Sequence, residues 1–303
     1  MRAQAKLLPD GQRLHLSDGP IDIVLEAFGD VVDVRAAYDA AVSRFASVLD
    51  ELCAELPALR CAVSDDACVL NGSIAQRMMV AVRPYAQEHF ITPMAAVAGA
   101  VAEEILLAMT CAANLQRAYV NDGGDIALHI VPGEHFMIGM VDYRSLDESY
   151  RSRIAMFGTM VLDAAMPVRG IATSGWRGRS FSLGIADAVT VLAPMAAMAD
   201  AAATIIANAV NLPGHPAVRR VPARELDPKS DLLDLPVTTH VGHLKGQEIA
   251  SALDGGVAMA ETLKEKQLIH SAALHLCGET RIVTQGPIEA RTGIHREAGL
   301  IYA

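Results

Sequence analysis

Three polar residues interrupt the apolar run "MADAAATIIANAV" at positions 198–210: Asp200, Thr204 and Asn208. Four residues apart, they form one line along a helix. A carboxylate in such a segment must be paired, hydrogen-bonded or bound to a cation. Asp and Thr oxygens suit Mg2+, which keeps several waters and reaches for substrate phosphates. The same pattern fits a plainer arrangement, in which Thr204 bonds the carbonyl one turn back and Asp200 caps a helix that begins nearby.

Two other stretches carry residue types that could do chemistry. In "VNDGGDIALHI", residues 120–130, Gly123 and Gly124 follow a strand pattern and precede Asp125. Glycines there let a ligand approach the backbone, and successive N–H groups can hold an anion. Asp-Gly is also the common signal of a hairpin turn. In "RGIATSGWRGRSFSLG", residues 169–184, Thr173, Ser174 and Gly175 precede Trp176, Arg177 and Arg179. Small residues allow backbone contact with a ligand, and the arginines could grip phosphate through paired N–H groups. The alternative is a polar surface loop, with Trp176 stacking on a ring or simply packing. There is no P-loop, no G-x-G-x-x-G after a strand, no H-E-x-x-H and no G-x-S-x-G.

These stretches need elements to position them. Residues 13–28 read as two strands around the turn Asp18-Gly19-Pro20. Val34, Tyr38, Ala41, Phe45, Val48 and Leu52 mark one face of a helix, and 57–73 reads as a connection. Residues 91–109 read as a second helix, with Thr92 before Pro93 at its start. Residues 118–143 read as a three-stranded meander, and 150–190 as further strands and a Gly/Ser/Arg-rich loop. A strand "VTVLA" then leads into the helix that carries Asp200. Residues 211–236 read as an exposed excursion, 246–266 as a helix and the end as a hairpin. Hairpins mixed with helices argue an α+β fold rather than a doubly wound parallel sheet.

The composition narrows the partners. The 303 residues are 52% hydrophobic, enough for a large core as one domain or two intimate halves. A net charge of -10 with no basic run argues against nucleic acid and against an anionic membrane surface. Residues 91–109 and 189–210 are apolar enough to raise a membrane span, but Glu103, Glu104, Pro194 and Asp200 interrupt them. The start has no signal-peptide core. Five cysteines without C-x-x-C spacing fit a reducing cytoplasm. Few aromatics and many alanines suggest close helix packing and a homo-oligomer, a dimer first of all.

The three stretches, in this order, resemble the ApbE-like superfamily, whose best-known members are FAD:protein FMN transferases. Those enzymes show a strand ending in G-G-D, then an A-T-S-G turn, then A-D-x-x-x-T. The matches are Gly123-Gly124-Asp125, Ala172-Thr173-Ser174-Gly175, and Ala199-Asp200 with Thr204. "GPIDIVLEAFG" and "ITPMAAVAGAVA" look like signatures of an uncharacterised ApbE-like branch, extending the likeness over nearly the whole chain as a single domain. The resemblance implies a T-fold-related architecture of antiparallel sheets with long hairpins packed on helices. It also implies FAD, and Mg2+ on Asp200 and Thr204 beside the FAD pyrophosphate. Gly123, Gly124, Asp125, Thr173, Ser174 and Gly175 would then line the cofactor site, with Asp200, Arg177 and Arg179 as catalytic candidates.

The chain departs from the transferases at one point. They usually carry H-x-x-D-P-x-T-G after the T-S-G turn, and its histidine is expected to assist transfer. Here Arg177, Arg179, Ser180 and Ser182 occupy that space, and the histidine is missing. The expected function is a Mg2+-dependent, FAD-binding enzyme acting at the pyrophosphate or transferring a flavin nucleotide. The alternatives are an enzyme for a small acid or sulfur metabolite, and a non-catalytic ligand-binding protein on the same scaffold.

Overall fold

The computed structural model describes residues 3–64, 70–141, 156–284 and 300–302. The chain opens with strands β1 (Gln4–Leu7), β2 (Leu14–Asp18) and β3 (Ile21–Phe28). Helices α1 (Val31–Leu59), α2 (Ser73–Val82) and α3 (Val97–Ala112) follow, then strands β4 (Arg117–Asp122), β5 (Asp125–Ile130), β6 (His135–Val141), β7 (Met156–Asp163), β8 (Gly170–Ser174) and β9 (Ala188–Ala193). Helix α4 (Ala196–Ala209) leads to β10 (Val218–Pro222), α5 (Ala223–Leu226) and β11 (Pro236–Val241). Helix α6 (Gly246–Glu265) and strands β12 (Ser271–Leu276), β13 (Glu279–Val283) and β14 (Leu300–Tyr302) complete the order. This is an α+β fold with antiparallel sheets, apart from the parallel pair β6–β14.

The chain divides into two compact units. One comprises Met1–Phe136, Leu162–Ala172 and Ala193–Asp200, the other Met137–Val161, Thr173–Leu192 and Ala201–Ala303. The boundary falls within α4.

In the first unit the strands run in the order β1-β2-β3-β4-β5-β8. Alternation makes β3 one-sided: Ile21, Ile23, Leu25 and Ala27 are buried, and Asp22, Val24 and Glu26 between them are less so. Asp18 pairs with Ile21, which leaves Gly19-Pro20 as the two-residue turn read from the sequence. Helix α1 buries Ala41, Phe45, Val48 and Leu52, close to the face the periodicity marks. Helix α3 packs against α1, β4 and β5. With the 3-10 turn before it, α3 forms a stretch, Pro93–Ala112, long and apolar enough to cross a membrane. Its two acids are both paired within the first unit. Glu104 bonds Arg44 at 2.9 Å and Arg77 at 2.8 Å, and accepts from Ser73 at 2.9 Å. Glu103 pairs with Arg77 at 2.9 Å.

In the second unit β9, β12 and β13 form antiparallel neighbours, and β9 and β12 are buried at every position. Helix α6 packs against β12 and β13. The paired glycines within α6 mark a close contact: a Cβ on Gly255 would lie 2.9 Å from the Ala209 carbonyl oxygen. The excursion at 211–236 contains β10 and α5, and β10 pairs with β11.

Two readings are corrected. The meander stops after two strands: β5 turns to β8, and β6 lies in a separate sheet of order β14-β6-β7. The stretch 57–73 includes the last turn of α1 and the first residue of α2, and its residues 65–69 lie outside those described.

Helix α4 is seated by backbone contact. Ala196, Ala197, Ala199, Ala201, Ala202, Ala203 and Ala207 are all buried. A Cβ on Gly99 would sit 2.5 Å from the Ala196 carbonyl carbon, and one on Gly170 would collide with Met195 and Ala196. Helix propensity alone favours alanine over Gly99 by about 1 kcal/mol. Overpacking costs about 1–3 kcal/mol and works against that gain. Because the added Cβ meets backbone that cannot move aside, the cost outweighs the gain, and Gly99→Ala is expected to lower stability by up to about 2 kcal/mol, read as a lower urea midpoint with unchanged slope. An equal or higher midpoint would show that α3 and α4 are not held at backbone distance.

Candidate functional site

Neither α3 nor α4 begins with a residue able to cap it. Ala96 holds the N-cap position of α3 without a side-chain bond, and Pro194-Met195 precede α4. Each helix start exposes N–H groups that need acceptors. The two helices supply them to each other. Asp200, in the second turn of α4, accepts from the Gly99 N–H at 3.1 Å. Glu103, in the second turn of α3, accepts from the Ala197 N–H at 2.8 Å. Asp200 thus caps a neighbouring helix, as the plainer reading of its position allowed.

The cap does not fully satisfy this carboxylate. Burial raises the Asp200 pKa to about 7, and the nearby Asp122 charge adds to the rise. The backbone N–H groups of Gly99 and Ala98 oppose it. Asp122 is the residue directly before Gly123-Gly124 and is itself buried. It pairs across the β4–β5 hairpin with Asp125, which makes Gly123-Gly124 a two-residue turn. Both glycines hold positive φ, 67° and 116°, the conformation such turns demand. Asn121 Oδ1 accepts from the Gly124 N–H at 2.8 Å, so that donor is committed within the turn.

Thr204 lies one turn beyond Asp200 on α4. The residue is half-buried and its hydroxyl makes no hydrogen bond among the described residues, so the bond to the carbonyl one turn back is not formed. Asn208 braces the loop before β9: its Oδ1 accepts from the Leu183 N–H at 2.9 Å and from the Ser182 hydroxyl at 3.3 Å.

In the second unit the Thr173 hydroxyl bonds that of Thr190 at 2.9 Å, and Ser174 is half-buried. Gly175 is required by close approach, because a Cβ there would lie 2.6 Å from the Asp187 carbonyl oxygen. Arg177 is engaged: its Nε reaches Asp187 at 2.7 Å, and the guanidinium lies 4.6 Å from the Trp176 ring centroid. The Trp176 indole N–H and the Cys277 backbone N–H also donate to Asp187, at 3.2 and 2.7 Å. Arg179 is exposed and has no ion pair among the described residues.

Sequence reasoning passed over Asp122, Glu103 and Asp187. The signal for Asp122 was present, since the turn reads Asp-Gly-Gly-Asp and only its second acid was weighed. Glu103 was noticed only as an obstacle to a membrane span. Asp187, inside "GIADAV", carries no local pattern.

The raised Asp200 pKa gives a pH dependence whose sign is fixed. The folded state binds this proton more tightly than the unfolded chain does, so the contribution is full below about pH 4. It is lost as pH rises through about 7. Asp200→Asn keeps an acceptor and removes the charge, and should gain roughly 2–4 kcal/mol on the wild type between pH 4 and 8. Urea midpoints against pH for both proteins check this, and parallel curves would sink it.

Comparison with known proteins places the chain in a family. The chain is 37% identical over 136 residues to a UPF0280 protein of Methanopyrus kandleri, covering 45% of this chain and 48% of that one. It is 35% identical over 148 residues to a UPF0280 protein of Methanothermobacter thermautotrophicus, covering 48% and 52%. The matches thus span about half the length of these curated relatives. Among solved structures, a variant of the flavin transferase ApbE from Vibrio cholerae superposes with a TM-score of 0.47 at 12% identity, over 90% of this chain and 98% of that one. The apo form of the flavinyl transferase ApbE from Pseudomonas stutzeri gives 0.43 at 11% identity, over 94% and 96%. The family model described as AbpE bacteria matches residues 5–282, nearly the whole chain, and the protein therefore belongs to that ApbE-like family.

Proposed function

We propose that this protein is a Mg2+-dependent enzyme that binds FAD and acts at its pyrophosphate, of the flavin-transferase type. The observation that carries the reading is the half-buried Asp200 carboxylate near Asp122, with the uncommitted Thr204 hydroxyl one turn further along α4. Among the described residues no three His, Cys, Asp or Glu side chains group as metal ligands. The donors at hand are hard oxygens, two carboxylates and a hydroxyl, and these fit Mg2+, which takes few protein ligands and keeps waters and phosphate oxygens.

Asp200 and Thr204 would hold the metal, and Asp122 would strengthen the negative field there. When bound, Mg2+ neutralises pyrophosphate charge and eases departure of a phosphoryl or nucleotidyl group. The Asp122–Asp125 hairpin would line the flavin site in the first unit. In the second unit, Thr173, Ser174 and Gly175 would offer hydroxyl and backbone contacts to a ligand. Arg177 stiffens the turn after Gly175 through Asp187, which leaves Arg179 as the arginine available to steady developing charge. Free Cys53, Cys61 and Cys111, all exposed, favour a reducing compartment such as the cytoplasm.

A second reading, ligand binding without turnover, is favoured by one observation. The segment from Gly175 to Asp187 folds onto itself through Trp176, Arg177 and Asp187, and holds no histidine that could move a proton.

Equilibrium dialysis with FAD, with and without Mg2+, followed by chromatography of the small molecules, tests both. Mg2+-dependent binding, weakened at least about tenfold by Asp200→Asn, with release of AMP or FMN, is the expected result. Intact FAD after binding would select the second reading. No FAD binding, together with no Mn2+ uptake by electron paramagnetic resonance, would overturn both.

A further inference from the structure

Arg220, in β10, is half-buried and forms no ion pair among the described residues. The one side-chain hydrogen bond it makes among them goes to Oδ1 of Asn211. That amide is itself fixed. The same oxygen accepts from the Leu212 N–H at 2.8 Å, and Nδ2 donates to the carbonyls of Leu183 at 3.1 Å and Asn208 at 3.5 Å. Asn211 therefore holds one edge of the guanidinium and leaves its other N–H donors unassigned. Burial pulls the Arg220 pKa below the ordinary arginine value, and no carboxylate offsets it. A half-buried guanidinium without a counter-charge, held at one edge only, has donors to offer an anion.

A second unmet group stands beside it. Arg220 pairs directly with Thr238 across β10–β11, at a register irregularity between Arg219 and Arg220. Opposed residues of an antiparallel pair put their side chains on the same face, and bulges re-aim side chains locally. Thr238 is only 7% exposed, and its hydroxyl has no partner among the described residues. Asn211, Arg220 and Thr238 all lie in the second unit. A held guanidinium and a buried hydroxyl on one face match a group bearing negative charge and several acceptor oxygens.

We propose that Arg220 and Thr238 form a binding site for the oxyanion group of a small-molecule ligand, with Asn211 as the residue that positions the guanidinium. The oxyanion is a phosphate or a carboxylate, both of which take the two-pronged guanidinium bond. This site stands on residues separate from Asp200 and Thr204 and does not rest on the flavin reading.

Isothermal titration of the full chain with inorganic phosphate, and separately with succinate, tests it and tells the two chemistries apart. The expected result is saturable one-to-one binding of one of these anions. Arg220→Gln should weaken it at least about tenfold and Thr238→Val several-fold, with Asp200→Asn leaving it unchanged. Arg220→Lys keeps the charge but loses the fork, and should fall between wild type and Arg220→Gln. If Arg220→Gln does not fold, the lysine and valine variants carry the test, with circular dichroism confirming their fold. Saturable binding of neither anion overturns the proposal, as does binding that survives the Arg220 and Thr238 substitutions. Loss of anion binding in Asp200→Asn alone would assign the anion to the metal-binding candidate and also overturn it.

Discussion

The reciprocal capping of α3 and α4 is the constraint on which the first unit's site depends. Asp200 and Glu103 each satisfy the start of the other's helix, at a crossing close enough that Gly99 has no room for a Cβ. A carboxylate cap contributes about 1 kcal/mol through hydrogen bonding, with a further few tenths from the helix dipole. The larger effect is geometric. Neither helix can slide along the other without breaking a cap, so the Asp200 carboxylate is held where the Asp122 hairpin lies near it.

Neighbouring acids on α3 show how environment divides the work. Burial raises the pKa of both, yet the outcomes differ. Glu104 ends below its ordinary value because Arg77, Arg44 and Ser73 all bond it. Glu103 ends above its ordinary value, since burial outweighs the Ala197 N–H and the Arg77 charge. The first acid ties three helices together as a charged group. The second serves a helix start and carries its charge at a cost. An apolar helix can keep two adjacent acids only when each has such a partner.

Much of the fold was legible because its signals are local. The Asp18-Gly19-Pro20 turn, the face of α1 and the Gly123-Gly124 turn all follow from short-range chemistry. The failure at β6 has the opposite cause, since its parallel partner β14 is a three-residue strand far along the chain. No periodicity within 118–143 could announce that pairing. At the site, the polar line on α4 was visible, and so was the alternative that Asp200 caps a helix. Which helix it caps depends on a crossing set by Gly99, a residue that reads as ordinary within an alanine-rich run. Likewise the engagement of Arg177 could not be read, because its partner Asp187 is ten residues away, just before β9.

Trp176 is the chain's one tryptophan, and it sits in the second unit with its indole N–H on Asp187 and the Arg177 guanidinium against its ring. A charged neighbour and a hydrogen-bonded indole make its emission sensitive to this single turn. Fluorescence excited at the tryptophan band therefore follows the second unit alone, while far-ultraviolet dichroism follows both. Coincidence of the two unfolding curves would mean that the units melt together, and their separation would make any single melting temperature for this chain an average over two events.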